Sequence, residues 1–297
     1  KNPVAYNGSG IAPGKASYDY FKKNKIDKIG LTSPHSVTIP GALDAWKNIH
    51  KDFGKLDFEE LFLTAIDCAK NGFKVTKVVA NAWNNNTNKL LQDKNSKKLL
   101  LKNEKSYQLS DIRKNIPLGN ALELISKKGI SEFYEGSIAS DMVNSLNKLG
   151  GLHTIDDFSR QSTIKSQTIS TKYNDTKIHQ CPPNGPGITV LIMMKLLEKL
   201  QIQKYNYNST ERFHLEGEVT KQAFKIKEEN IGDPNFIELN LNKILSDAYI
   251  NDIYKNISIN SCSDVGNLNI PNHPETVYLS VVDKDLNSVS IINSVCY

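Results

Sequence analysis

Apolar residues recur three and four positions apart through most of the chain and two positions apart near its end, so the pattern predicts helices first and a hairpin last. Ser17–Asn24 reads as a short helix. Ala42–Lys51 follows, with Leu43, Trp46 and Ile49 on one face. Phe58–Asn71 is amphipathic, led by Asp57 as an N-cap and stopped by Gly72. Val75–Leu91 continues helically. Asp93–Lys105 is rich in Lys and Asn and reads as a connection. Ile116–Lys128 is a helix ended by Gly129. Ile130–Leu149 reads as one helix, with Ile138, Met142, Leu146 and Leu149 spaced for one face and Gly150-Gly151 as its stop. Ile188–Leu200 is apolar almost throughout, and Arg212–Asn230 and Leu245–Lys255 complete the helices.

The extended pieces are shorter. Val4–Tyr6 precedes a turn marked by Gly8 and Gly10. His35–Gly41 reads as extended, Thr154–Phe158 as a capped turn, and Ser162–Tyr173 and Thr176–Cys181 as strands. After a loop-like run from Ser258 to Pro274, Val277, Leu279 and Val281 alternate with Tyr278, Ser280 and Val282. Asp283–Asn287 is a polar turn, and Val289, Ile291 and Ile292 resume a strand. The order predicts an α+β or layered α/β fold in one domain. Thr276 opens the hairpin. Cut before this residue, the chain would offer a hydroxyl nucleophile and an α-amine on one residue. That amine has a pKa of about 7.7–8, against about 10.4 for lysine, which suits a general base. On strand propensity alone, a strand-opening threonine is an ordinary structural residue.

Charge narrows the function classes. The net charge is +5, from 37 Lys plus Arg against 32 Asp plus Glu. The pairs Lys22-Lys23, Lys97-Lys98 and Lys127-Lys128 sit on separate segments as solvated faces, so a nucleic-acid partner is not expected. No run approaches the roughly 18 apolar residues of a membrane helix, and no membrane partner is expected. Cys68, Cys181, Cys262 and Cys296 are far apart and read as free thiols. The histidines lack metal-ligand spacing. Only His214 and Glu218 share a helical face, so no metal or other cofactor is expected. No G-x-S-x-G or Walker pattern is present. Pro182–Gly187 before a helix reads as a strand-to-helix turn, or as an anion-binding helix start. The chain begins at Lys1 and ends in a strand at Tyr297, so both ends read as cut, and the compartment stays open.

Ser36–Trp46, Phe133–Gly136 with Leu149–Leu152, Pro182–Ile188, Ala223-Phe224 through Gly232-Asp233-Pro234, and Thr276–Asp283 together resemble the gamma-glutamyltransferase family of N-terminal-nucleophile hydrolases. They follow the family's order across nearly the whole chain. The resemblance implies an αββα sandwich, here partial, with a helix-rich large subunit. It implies self-cleavage between Glu275 and Thr276. Residues 1–275 would then belong to the large subunit and 276–297 would start the small one, the two forming a heterodimer. Thr276 would attack a γ-glutamyl amide such as that of glutathione and form an acyl-enzyme, which passes to water or an amine. A second hydroxyl, eighteen positions on, supports the nucleophile in the family, and Ser294 holds that place.

The chain also departs from the family pattern. Members usually carry Thr-Thr-His or Thr-Ser-His at the cut, where this chain has Thr276-Val277-Tyr278. Ser9 stands where the family has an arginine for the glutamyl α-carboxylate, and Cys296 where an asparagine often faces substrate. Asn7-Gly8-Ser9-Gly10 together with Thr276-Val277-Tyr278 is similar to the family's acylase-like branch. They leave non-glutamyl acyl amides, or a non-catalytic binding role, as alternatives.

Overall fold

Most helices begin where the sequence puts a short polar side chain before an apolar run. Thr76 Oγ1 accepts from the Val79 N–H, Asn115 Oδ1 from Leu118 N–H and Ser209 Oγ from Arg212 N–H. Each satisfies one of the first-turn donors that a helix leaves open. The computed structural model describes residues 3–30, 32–266 and 276–294, and the chain divides into two compact units.

One unit is Gly10–Gln161. It contains α1 (Tyr18–Lys23), α2 (Ala42–Phe53), α3 (Leu63–Asn71), α4 (Lys77–Leu90), α5 (Lys94–Leu100), α6 (Ile116–Lys128), α7 (Ser131–Tyr134), α8 (Ser137–Lys148) and α9 (Ile155–Ser159). Its core joins Ile39, Leu43, Phe62, Ile125, Tyr134, Ala139, Val143 and Phe158. The other unit pairs the first nine residues with Ser162–Tyr297. Here β1 (Val4–Asn7) lies antiparallel to β2 (Ile164–Gln167), and β3 (Ile169–Tyr173) to β4 (Thr176–Gln180). Helices α10 (Gly187–Lys199), α11 (Thr210–Asn230), α12 (Leu241–Ile244) and α13 (Asp247–Tyr254) follow, then the hairpin β5 (Thr276–Val282) and β6 (Ser288–Ser294).

The apolar run of α10 is explained by its burial. Ile188, Ile192 and Leu196 are fully buried and cluster with Val219, Ala223 and Ile226 of α11, Ile244 of α12, and Ile250 and Ile253 of α13. A helix enclosed on several sides needs no polar face.

Five readings of the sequence are corrected. Phe58–Asn71 is a 3-10 turn, Glu60–Phe62, followed by α3, which starts at Leu63 without a capping side chain, so Asp57 is not its N-cap. Ile130–Leu149 is two helices. Glu132 Oε1 accepts from both the backbone N–H and the hydroxyl of Ser137, which starts α8 and ends α7 at Glu135-Gly136. Asp93–Lys105 contains α5, because Asp93 Oδ1 caps it through the Ser96 N–H. His35 and Ser36 lie in a 3-10 turn, Pro34–Ser36, capped by Ser33, and the chain extends only from Val37. Ser162–Tyr173 is two strands, interrupted at Thr168, whose hydroxyl bonds His179 Nδ1, and each strand pairs with a different partner. Gly129 has φ +83°, a conformation strained for any other residue, and it ends α6 as expected.

The packing of α10 sets a stability contrast. Leu196→Ala removes a fully buried side chain and is expected to cost about 2–5 kcal/mol by chemical denaturation. Phe236→Ala, at 85% exposure, is expected to change stability by less than about 0.5 kcal/mol.

Candidate active site

The hairpin is built by its turn. Asp283 Oδ1 accepts from the Asp285 and Asn287 N–H groups, and its Oδ2 from the Asn287 side chain. The backbone closes with Leu286 N–H to Asp283 O and Asp283 N–H to Asn287 O. This turn fixes the register, and a slip of one residue would send every side chain to the opposite face. In that register Thr276 faces Ser294, Tyr278 faces Ile292, and Ser280 faces Ser290. Directly opposed residues have Cβ atoms about 4.5–5.5 Å apart. One face of the hairpin therefore carries the hydroxyls of Thr276, Ser280, Ser290 and Ser294. Tyr278 shares that face, and its hydroxyl accepts from Ser290 Oγ at 3.2 Å. The other face carries Val277, Leu279, Val281, Val289 and Ile291, ending in Asn293. Glu275 and Cys296 lie outside the described residues.

Ser9 follows β1. Its N–H donates to Asn7 Oδ1 at 3.0 Å, and Asn7 Nδ2 donates to Asn184 Oδ1 at 2.8 Å. The structure thus brings together Ser9, Asn7 and the Pro182–Gly187 turn. Asn184 is a member that residue spacing did not mark, because its partner is 177 positions away.

Beyond Ser9 the backbone is held closely. A Cβ at Gly10 would lie 1.9 Å from Ile39 O, so only glycine fits. Ile11 N–H donates to Gln161 Oε1 at 3.1 Å and Ile11 O accepts from Ile39 N–H at 2.9 Å. Gly14 N–H donates to Asp157 Oδ1 at 2.8 Å. Asp157 also closes the capping box with Thr154 and pairs with Arg160 at 2.8 Å. Burial pushes the Asp157 carboxyl up, but the Gly14 N–H, the two Thr154 donors and the Arg160 guanidinium outweigh it and hold the carboxyl below its usual range.

A third cluster lies on α11. One ligand atom each from His214, Glu218 and Cys262 fall within 4.8 Å of one another. The donor types suit zinc, but Glu218 is already occupied. Its Oε2 accepts from Ser263 N–H and Oγ, and Lys221 Nζ sits 2.5 Å from Oε1. An ammonium on the ligand carboxylate opposes a second cation there. Burial raises the Glu218 carboxyl, while Lys221 and the Ser263 donors lower it further, for a net shift downward. Cys68, Cys181 and Cys262 are free thiols. No helix among the described residues is long and apolar enough to cross a membrane.

The family model described as gamma-glutamyltranspeptidase matches residues 1–297. The glutathione hydrolase-like YwrD proenzyme of Bacillus subtilis is 29% identical over 98% of this chain and 55% of its own length. The acylase ACY 1 proenzyme of a Pseudomonas species is 24% identical over 98% of the chain and 54% of its own length. The chain spans about half the length of the curated relatives it matches. The solved gamma-glutamyltranspeptidase of Helicobacter pylori superposes with TM-score 0.79 at 24% identity, over 88% of this chain and 76% of that one.

The depressed Asp157 carboxyl sets a pH dependence. A folded-state pKa below the unfolded value, about 3.9, gives stability that is present above that value and lost as pH falls through the folded pKa. Asp157→Asn is expected to lose about 1.5–3 kcal/mol at pH 7, the scale for charged hydrogen bonds. The gap to the parent protein should narrow below about pH 4, read by denaturant melts at each pH. The family match along the whole chain and the shared fold agree: the chain belongs to the gamma-glutamyltranspeptidase family.

Proposed function

We propose that the full-length protein is a self-processing amide acyltransferase or hydrolase whose nucleophile is Thr276. The observation that carries this is the register that sets Thr276 opposite Ser294 at the head of the hairpin. In the first step Thr276 Oγ1 attacks the Glu275 carbonyl carbon. An ester forms, the Glu275–Thr276 C–N bond breaks, and the nitrogen leaves as the Thr276 α-amine. Water then hydrolyses the ester and leaves a carboxylate on Glu275. The chain becomes two, with 276–297 at the start of the second.

The new amine has the pKa of a base near neutral pH. It takes the Thr276 hydroxyl proton as the oxygen attacks the substrate amide carbonyl. The leaving amine takes that proton, an acyl ester stays on Thr276, and water or an acceptor amine resolves it. Ser294, opposite, supplies a hydroxyl that can donate to or accept from the nucleophile. The γ-glutamyl group of glutathione and similar amides is the first substrate class, supported by the family match and the glutathione hydrolase-like relative.

Ser9 supports a second reading, a simpler acyl amide. A serine offers no guanidinium fork for an α-carboxylate. The acylase relative is in keeping with it.

Mass spectrometry of the full-length protein is expected to find a fragment starting at Thr276, and Thr276→Ala is expected to leave one uncut, inactive chain. An intact parent protein would sink the proposal. The two substrate readings separate on anilides. A γ-glutamyl anilide at least about 100-fold better than the glutaryl one in kcat/KM, near 2.7 kcal/mol, supports an α-carboxylate clamp. Near-equal values support the acylase reading.

A further inference from the structure

After α13 the described chain carries no helix or strand up to Gly266, yet it is tied to one stripe of α11. His214, Glu218, Lys221 and Gln222 lie at spacings of four, three and one on that helix. His214 Nε2 donates to Ser258 O at 2.8 Å. Glu218 Oε2 accepts from Ser263 N–H at 2.9 Å and from Ser263 Oγ at 2.5 Å. Lys221 Nζ bridges Glu218 and Ser263 O, the latter at 2.9 Å. Gln222 Nε2 completes the set by donating to Ser263 Oγ at 3.0 Å. Both backbone polar groups of Ser263 and its hydroxyl are thus held by α11. Glu218 is only 2% exposed, and a buried carboxylate is retained at a desolvation cost that apolar packing would avoid. The neighbouring stripe of α11, Val219, Ala223 and Ile226, packs with Ile188, Ile192 and Leu196 of α10.

The tied residue is on the run-up to Thr276. Residues 264–275 separate Ser263 from the proposed nucleophile. We infer that Glu218 is a positioning residue for self-cleavage: through Ser263 it fixes where the chain starts toward the Glu275–Thr276 bond. The inference rests on the reading of that bond as the one cut. Tether length is the smaller part of the effect. Freeing Ser263 moves the last tied residue back to Ser258, and loop-closure entropy then changes the closing probability less than about twofold. Direction is the larger part. Intramolecular attack needs the oxygen in line with its carbonyl, and a misplacement of about 1 Å lowers such rates by up to about 10²-fold.

The test measures cleavage of purified, full-length precursor over time for the parent protein, Glu218→Gln, Lys221→Met and Ser263→Ala. Each variant is also made already split, by co-expressing the two chains, and assayed for kcat/KM on an acyl anilide, with a thermal melt beside it. Cleavage at least about fivefold slower, above the tether effect, with kcat/KM of the split form within about twofold of the parent's, is the expected result. Variants that cut at the parent rate overturn the inference while leaving Thr276 as the nucleophile. Slower cutting matched by an equal loss of kcat/KM, or by failure to fold in all three variants, also overturns it, because Glu218 would then be a stability residue. A parent protein that never cuts removes the underlying reading instead.

Discussion

A buried backbone without a strand partner has to find its hydrogen bonds elsewhere, and the unit Gly10–Gln161 is arranged around one such piece. Val37–Gly41 runs between a 3-10 turn and α2, with Ile39 fully buried in the core. Its polar groups are met from three distant places. Val37 O accepts from His153 Nε2 at 2.8 Å, so that nitrogen carries the hydrogen. Ile39 N–H donates to Ile11 O at 2.9 Å, and Pro40 O accepts from the Tyr134 hydroxyl at 2.8 Å. Tyr134 also accepts from the Asp44 N–H, pinning the start of α2, and burial pushes its phenol up to about 12. Each bond left unmade would cost about 1–3 kcal/mol, comparable with a large part of a domain's net stability. Three stretches that are separate in the sequence, around residues 11, 134 and 153, therefore converge on one.

The same constraint reaches the segment after Ser9. Ile39 O sits where a Cβ at position 10 would go, so the buried segment dictates a glycine beside Ser9. Gln161 and Asp157 hold the next turn by its N–H groups. Ser9 itself leans back on Asn7, which reaches Asn184 in the loop before α10. Backbone donors thus do the positioning on both sides of Ser9.

The hairpin follows a different rule. It is held by its own ladder and by Asp283, and most of its side chains are exposed. Two-stranded hairpins are marginal on their own. What this one contributes is register: a row of hydroxyls on one face, headed by Thr276 and Ser294, and an apolar row on the other.

The alternation of Val277, Leu279 and Val281 and the Asp-rich turn made this hairpin legible, because period two and turn chemistry are local. The same holds for α6, with Asn115 and Gly129 at its ends, and for α2 and α10, whose apolar spacing lies within a few residues. The split of α7 from α8 was not legible, since it depends on Glu132 choosing Ser137 over the solvent. Neither was the break at Thr168, which depends on His179 across the strand pair. Asn184 beside Asn7, and Glu218 beneath Ser263, carry no signal at all in the sequence, because their partners are 177 and 45 positions away. The sequence by itself determined most of the element types, the family and the candidate nucleophile, which rest on neighbouring residues and motif order. Only the tertiary structure decided which polar groups meet, because a buried donor or acceptor takes whichever partner the packing brings within about 3 Å.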